Sequence, residues 1–363
     1  MATTLRDVAA RAGVSVATAS RALQGSERIG EATRERVRAA AAALAYTPNR
    51  TARALSTGRT ATLGLIVPDL LNPFFPAVVK GAQARARELG LQLLLADTDE
   101  SPAEELPLVR TLAPQVDGVI LCSSRMDEDE LGQAASLTRT VLVNREHGQL
   151  PSVVLDPGPG VEAALRHLHA LGHTRIGYVG GPATSSSDDR RRRSLAELAP
   201  RIGLEVVPLG ARKPDAAGGA AAAEELLALR LGAAIVYNDL MALGLMDRLR
   251  TFGLDVPRDV SVIGWDDIEF SAMARPALST VRMPRREAGR TAVDLLGEII
   301  AGGTGGAIRL GTELVLRAST SRAPLRIDEA RPDGELRISL PDPERGTSSP
   351  ASPLPELQEH TSP

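Results

Sequence analysis

The 363-residue sequence contains one cysteine, Cys122, and few aromatic side chains: four Phe, three Tyr and one Trp. A single thiol excludes an internal disulfide and leaves no basis for a thiolate metal centre. In "GVILCSS" it reads as an ordinary strand residue. Long apolar runs are also missing, and none approaches the roughly 20 residues that a membrane-spanning helix needs. Met1-Ala2-Thr3-Thr4 leads directly into a helical pattern with no apolar signal region. The expectation is a cytoplasmic protein with no membrane partner. There are five histidines and no G-x-S-x-G, H-E-x-x-H or Walker sequence. Nothing therefore supports an enzyme, and no cofactor or metal is expected.

The chain is long enough for more than one domain. Its net charge of −3 hides a division. Residues 1–60 carry ten arginines against Asp7, Glu27, Glu31 and Glu35, a net +6, so residues 61–363 carry −9. A basic N-terminal module on an acidic body points to a polyanion for the first and a small or neutral ligand for the second.

Within the basic module, Thr4 and Asp7 form a capping-box pattern, and Leu5, Val8, Ala9 and Ala12 then share one helical face. Gly13 supplies the positive φ that ends this helix. Ser15 can cap a second helix reaching Leu23, with Thr18, Ala19, Ala22 and Leu23 facing inward. Small residues at Ala9 and Ala19 let the two helices cross closely, which is the pattern of a helix-turn-helix. A third helix, from about Glu31 to Ala45, starts at Gly30 and offers Val37, Ala40, Ala41 and Leu44 to the same core.

From Thr62 the pattern changes. Ten strand-like stretches ("TLGLIV", "LQLLLAD", "DGVILCSS", "TVLVNR", "SVVLD", "RIGYVGG", "LEVVPL", "AAIVYND", "VSVIGWDD" and "STVRM") are separated largely by amphipathic helical segments. This alternation predicts parallel sheets covered on both faces, and ten strands call for two α/β lobes. Beyond about Arg322 the chain is rich in Pro, Ser, Asp and Glu and reads as a disordered tail.

The motifs "TLRDVAARAGVSVATASRAL", "TRERVRAAAAALAYTPNRTARALSTGRT", "TLGLIVPDLLNPFFPAVVKGA", "LVNR", "HLHALGHTRIGYVGGP", "YNDLMALG" and "VSVIGWDD" occur in one order over residues 4–322. In these residues the chain resembles the lac repressor and galactose repressor (LacI/GalR) family of transcription regulators. The resemblance implies a helix-turn-helix head over residues 1–47 and a hinge helix or linker over 48–60. A periplasmic-binding-protein-like core of two parallel-sheet lobes then spans 61–322, with the tail at 323–363. It further implies a homodimer on a near-palindromic double-stranded operator, and a small-molecule effector, a sugar on this reading, held between the lobes. A sugar-binding protein without a DNA role is the alternative. No catalysis is implied.

On this reading the second helix enters the major groove. Val16, Ala17 and Arg21 are the expected readers of base edges, Arg21 through guanine and the other two through thymine methyls. Thr4, Ser15, Thr18, Ser20 and Asn49 are placed for phosphates, with helix capping as the competing role for Ser15 and Thr18. The resemblance assigns Ala52, Arg53, Leu55 and Ser56 to a minor-groove hinge helix, with Leu55 as the wedge.

A cleft between two lobes collects the polar residues that close the strands. These are Asn72, Phe74, Ser123, Ser124, Asn144, Arg145, Asn238, Trp265 and Asp266. The resemblance adds Arg191, within four consecutive arginines that leave the register open to Arg190 or Arg192. Amides, carboxylates and guanidinium groups beside aromatic faces suit a polyhydroxylated ring. Asp239 is expected to cap the following helix. Gly158-Pro159-Gly160 through Ala163 matches G-x-G-x-x-A only formally, because the next strand lacks a terminal acidic residue for a ribose. His167 and His169 point to different helix faces, and His173 can satisfy terminal carbonyls.

Overall fold

A computed structural model describes residues 3–23, 26, 28–46 and 59–323. The head is three helices, α1 (Leu5–Ala12), α2 (Val16–Leu23) and α3 (Glu31–Ala43). Helices of this length are marginal alone and hold through mutual packing. The shared core is correspondingly small: Val8, Ala9, Ala19, Ala22, Val37, Ala40 and Ala41 are its buried members. The capping box at Thr4 and Asp7 forms, and Gly13 has φ 68° with its N–H on the Ala10 carbonyl. Gly30 begins α3 without any side-chain bond. Asn49, Ala52, Arg53, Leu55 and Ser56 lie outside the described residues.

All ten predicted strands are present. In the first lobe, β1 (Thr62–Val67), α4 (Phe74–Glu88), β2 (Gln92–Asp97), α5 (Pro102–Leu112), β3 (Gly118–Cys122), α6 (Glu128–Leu137), β4 (Thr140–Val143) and β5 (Ser152–Asp156) follow in order. The second lobe begins with α7 (Gly158–Ala170), β6 (Arg175–Gly180), α8 (Ser186–Ile202), β7 (Glu205–Ala211), α9 (Ala216–Ala220) and α10 (Ala223–Ala228). It continues with β8 (Ala233–Val236), α11 (Asp239–Thr251), β9 (Ser261–Asp266), α12 (Glu269–Met273) and β10 (Ser279–Arg282). Interior strands such as β1 and β9 are buried along their whole length, as expected where helices cover both faces.

Two further strands were not anticipated. After β10, the long helix α13 (Arg285–Ile300) returns to the first lobe and packs along α4. β11 (Ala307–Gly311) then pairs parallel to β5, and β12 (Glu313–Val315) goes back to pair antiparallel with β10. The first sheet reads β11-β5-β4-β3-β1-β2 and the second β12-β10-β9-β8-β6-β7. The chain thus passes between lobes three times, after Asp156, after Arg282 and after Gly311.

Two contacts fix these passages. α13 and α4 approach backbone to backbone, because a Cβ on Gly289 would overlap the Val78 carbonyl and one on Gly81 the Arg286 carbonyl. At the first passage the Gly160 N–H donates to Thr312 Oγ1, and Val281 and Thr312 fill the space a Cβ would take. The small residues of "GPG" therefore admit the β11–β12 passage. Among the described residues, no helix is long and apolar enough to cross a membrane.

Candidate functional site

The second helix of the head presents an exposed face. On α2, Ala19 and Ala22 turn inward, while Val16, Ala17 and Arg21 are exposed, Val16 at 42%. Ala17 and Arg21 lie four residues apart and so stand one above the other. The Ser15 hydroxyl accepts from the Thr18 N–H at 3.0 Å and bonds the Thr18 hydroxyl at 2.8 Å. Both hydroxyls thus serve the N-cap of α2 and stay on the surface. Thr4 donates its hydroxyl to Asp7 at 2.7 Å, and Ser20 is half-buried.

The second site is built from strand ends of both lobes. From the first lobe come Asn72, Phe74 and Phe75, Ser123 after β3 and Asn144 after β4; from the second come Ser187 and Arg191 on α8, Tyr237 and Asn238 after β8, Asp266 and Met283. They line a narrow cleft with about 300 Å³ of space between its walls, counting the open mouth. Asn72 folds its amide oxygen onto the Phe74 N–H at 3.0 Å, and the Phe74 and Phe75 rings meet edge to face with centroids 5.0 Å apart. Ser123, Asn144 and Asp266 have φ of 49°, 58° and 117°. Non-glycine residues held there are strained, and such strain concentrates at binding sites.

Arg191 is 3% exposed and lies with its guanidinium carbon 3.7 Å from the Trp265 ring centroid and 5.2 Å from that of Tyr237. Its Nη1 donates to the Tyr237 carbonyl at 2.5 Å. Of the four arginines, Arg191 lines the cavity, Arg190 reaches across to Asn144, and Arg192 and Arg193 pair with Asp188 and Asp189 on their own helix.

Several expected residues sit behind the wall. Trp265 is the floor under Arg191, donating its indole N–H to Met283 Sδ at 3.0 Å. Ser124 gives its hydroxyl to the buried Glu105 carboxylate, which also accepts the Arg125 N–H. Arg145 donates to the Ser124 carbonyl at 2.8 Å. Ser124 is turned away from the cavity by this carboxylate on α5, a helix whose sequence carries no such signal, and Arg145 follows the Ser124 backbone.

The capping expectation for Asp239 also needs correcting. Asn238 caps α11, accepting the Met241 N–H at 2.8 Å, and lines the cavity as well. Asp239 is fully buried and accepts from Ile268 N–H at 2.9 Å, Ser271 hydroxyl at 2.7 Å and Thr280 hydroxyl at 2.6 Å. It ties three segments together, and burial lifts its carboxyl to about 6 despite those bonds. Burial, with Asp239 adding repulsion, pushes the Asp266 carboxyl well above the usual carboxylate range, outweighing Arg191 and Arg285.

Phe75, Ser187, Tyr237 and Met283 line the cavity without having been anticipated. Ser187 had a signal, lying one helical turn before Arg191. Met283 had none. The His173 ring bonds the Ser321 carbonyl at 3.2 Å while its backbone N–H donates to the helix-terminal Leu168 carbonyl at 3.1 Å, and His167 bonds the Thr320 hydroxyl at 2.9 Å. Among the described residues, no three or more His, Cys, Asp or Glu side chains gather as a metal site.

Two arginines join the lobes directly. Arg285, at the start of α13, donates to the Pro73 carbonyl of the first lobe at 3.3 Å and the Asp267 carbonyl of the second at 2.7 Å. Arg190 donates Nη2 to the Asn144 carbonyl at 2.9 Å and to its side-chain oxygen at 3.1 Å. Both bridges end beside cavity residues, so a ligand that moves one lobe must act on them.

Comparison with known proteins agrees with this architecture. Residues 4–49 match the model for bacterial regulatory proteins of the lacI family, and residues 165–320 that for the periplasmic binding protein-like domain. The HTH-type transcriptional repressor CytR of Escherichia coli strain K12 is 32% identical over 334 residues, 89% of this chain and 98% of CytR. The regulator GalR of the same strain is 37% identical over 294 residues, 77% of this chain and 84% of GalR. A crystal structure of the lac repressor dimer bound to operator and the anti-inducer ONPF superposes with TM-score 0.79 at 29% identity, covering 88% of this chain and all of that one. A transcriptional regulator CelR–cellobiose complex gives TM-score 0.65 at 32% identity over 87% of this chain and 99% of that one. The chain belongs to the lacI family of bacterial transcriptional regulators.

Proposed function

We propose that this protein is a repressor that binds a near-palindromic operator as a homodimer and is switched by a small polyhydroxylated ligand, a sugar, in the interlobe cleft. The observation that carries the reading is the cavity itself. Strand ends of two separate sheets bring Asn72, Ser123 and Asn144 to face Arg191, Asn238 and Asp266 across one cleft, in a chain that also carries an exposed helix with Ala17 and Arg21. Amides and hydroxyls give the donors and acceptors that sugar hydroxyls require, and Phe74 supplies an apolar face. The relatives support the reading: CytR is a repressor, the lac repressor dimer has been seen on its operator, and CelR has been seen with cellobiose.

Mechanistically, a ligand acts by binding one arrangement of the lobes better than another, so that a pre-existing equilibrium shifts. The three passages and the Arg190 and Arg285 bridges are where this chain would register the change. Arg21 would read guanine, with Val16 and Ala17 against thymine methyls. Gel-shift titration with DNA upstream of its gene, with and without a sugar panel, tests the proposal. A retarded complex whose affinity depends on one sugar is expected. Failure to select any near-palindromic site from a random DNA library would refute it.

A further inference from the structure

Each passage between the lobes is tied to another by side chains at its ends. Thr312, at the third, donates its hydroxyl to the Asp156 carbonyl at 2.9 Å and accepts the Gly160 N–H at 3.0 Å, both at the first. Beside it, Glu313 accepts Nη1 of Arg282 at 2.5 Å, and Arg282 is the last residue before the second passage. The Nε of the same arginine donates to one carboxylate oxygen of Asp267 at 2.7 Å. The other oxygen takes Nη2 of Arg317, two residues beyond β12. The Asp267 carbonyl accepts Nη2 of Arg285 at 2.7 Å, and this arginine also reaches Pro73 in the first lobe. Asp267 thus grips the chain on both sides of the second passage, and just beyond the strand that follows the third.

Its position joins this brace to the cleft. Asp266, the preceding residue, lines the cavity with φ 117°, and Asp267 itself has φ 56°. Two successive non-glycine residues at positive φ persist only where their surroundings hold them, and the bonds of Asp267 are such a hold. Its side chain is 11% exposed, so its ion pairs are screened less than those of the open surface. Burial alone would raise its carboxyl, but the bonds from Arg317 and Arg282 outweigh burial and keep it below the usual carboxylate range. The link from Arg282 to Glu313 is more exposed and weak by itself. The brace therefore depends on Asp267.

We infer that Asp267 is a positioning residue that sets the angle between the lobes, clamping the second and third passages to the wall of the cleft. It acts through Asp266 and three arginines, Arg282, Arg285 and Arg317. The inference rests on the proposed function for its regulatory meaning, since it names where a filled cleft would act on the lobes. Spin labels at Ser136→Cys in the first lobe and Ala228→Cys in the second, both exposed positions, report the interlobe distance by double electron–electron resonance, Cys122 being buried. The full chain is used without ligand, diluted into unlabelled chain so that pairs between protomers are few. Asp267→Asn removes the charge and keeps a side chain that tolerates positive φ. It should widen the distance distribution about twofold or shift its mean by about 3 Å or more. Arg282→Gln, which loses one arm of the clamp, should change it in the same direction by less. Arg258→Gln breaks an ion pair to Asp259 away from the passages and should leave it as in wild type. A purely structural role would lower the urea midpoint of Asp267→Asn and leave the distribution unchanged, and that result overturns the inference, as does an equal change in Arg258→Gln. If circular dichroism shows Asp267→Asn unfolded, Arg282→Gln decides, and an unchanged distribution there overturns it. Operator retardation by the wild-type chain is measured alongside. Its failure removes the proposed function, whereas its success with an unchanged distribution removes only this inference.

Discussion

The stacking of Arg191 on Trp265 should be measurable as a coupling between two side chains that sequence alone does not pair. Trp265 is fully buried, so truncation to alanine loses its apolar contacts and leaves a cavity, together about 3–5 kcal/mol. With the guanidinium 3.7 Å from the ring and almost wholly desolvated, about 1–2 kcal/mol of that loss belongs to the cation–π contact. Arg191→Met keeps an apolar stem and removes the charge. A double-mutant cycle with Trp265→Ala and Arg191→Met, followed by urea unfolding and far-ultraviolet circular dichroism, isolates the pair. Trp265→Phe, which retains a ring face, should recover part of the coupling. A coupling below about 0.5 kcal/mol would mean that Arg191 is positioned by its bond to the Tyr237 carbonyl alone, and the account of the cavity floor would be wrong.

Gly289→Ala places a methyl against the Val78 carbonyl and should cost about 1–3 kcal/mol, read as a lower melting temperature; an unchanged midpoint would show that α4 and α13 separate freely. Asp239, held at about 6 in the fold against roughly 3.9 unfolded, binds its proton more tightly when native. Its contribution is fully present below about pH 4 and is lost as pH rises through about 6, on the order of 3 kcal/mol. Urea midpoints of wild type relative to Asp239→Asn should therefore fall across that window, and a flat difference would contradict the buried-carboxyl argument. Arg21→Ala should weaken operator binding by about 1–3 kcal/mol and relax base preference at one position of each half-site, measured by binding to a doped-site library. A uniform loss across all sequences would make Arg21 a phosphate contact instead.

Much of this architecture was legible because burial leaves simple marks on a chain. Interior parallel strands are apolar on both faces, so "TLGLIV" and "VSVIGWDD" stand out, and alanines at Ala9, Ala19 and Ala22 announce closely crossing helices. β11 and β12 escaped notice because they are edge strands with exposed or half-buried side chains and little apolar pattern. The three passages were equally hidden, since which lobe a segment joins depends on pairing distant in sequence. At the cleft, strand ends located Asn72, Ser123, Asn144, Asn238 and Asp266 on the cavity wall. The same rule set Ser124 and Arg145 there too, and Glu105 on a neighbouring helix draws Ser124 back. Asn238 took the cap expected of Asp239 besides its own place on the cavity wall, because the Asp239 carboxylate found three donors, from Ile268, Ser271 and Thr280, that no local pattern reveals.

The central claim is that occupancy of the cleft changes how the head holds DNA. Its most direct measurement is operator affinity of the full chain with and without a saturating ligand, with binding verified through emission of Trp265, the only tryptophan. A change of at least about fivefold in operator Kd is expected in the wild type and none in Arg191→Met. An operator Kd that stays the same while Trp265 reports a filled cleft would contradict it.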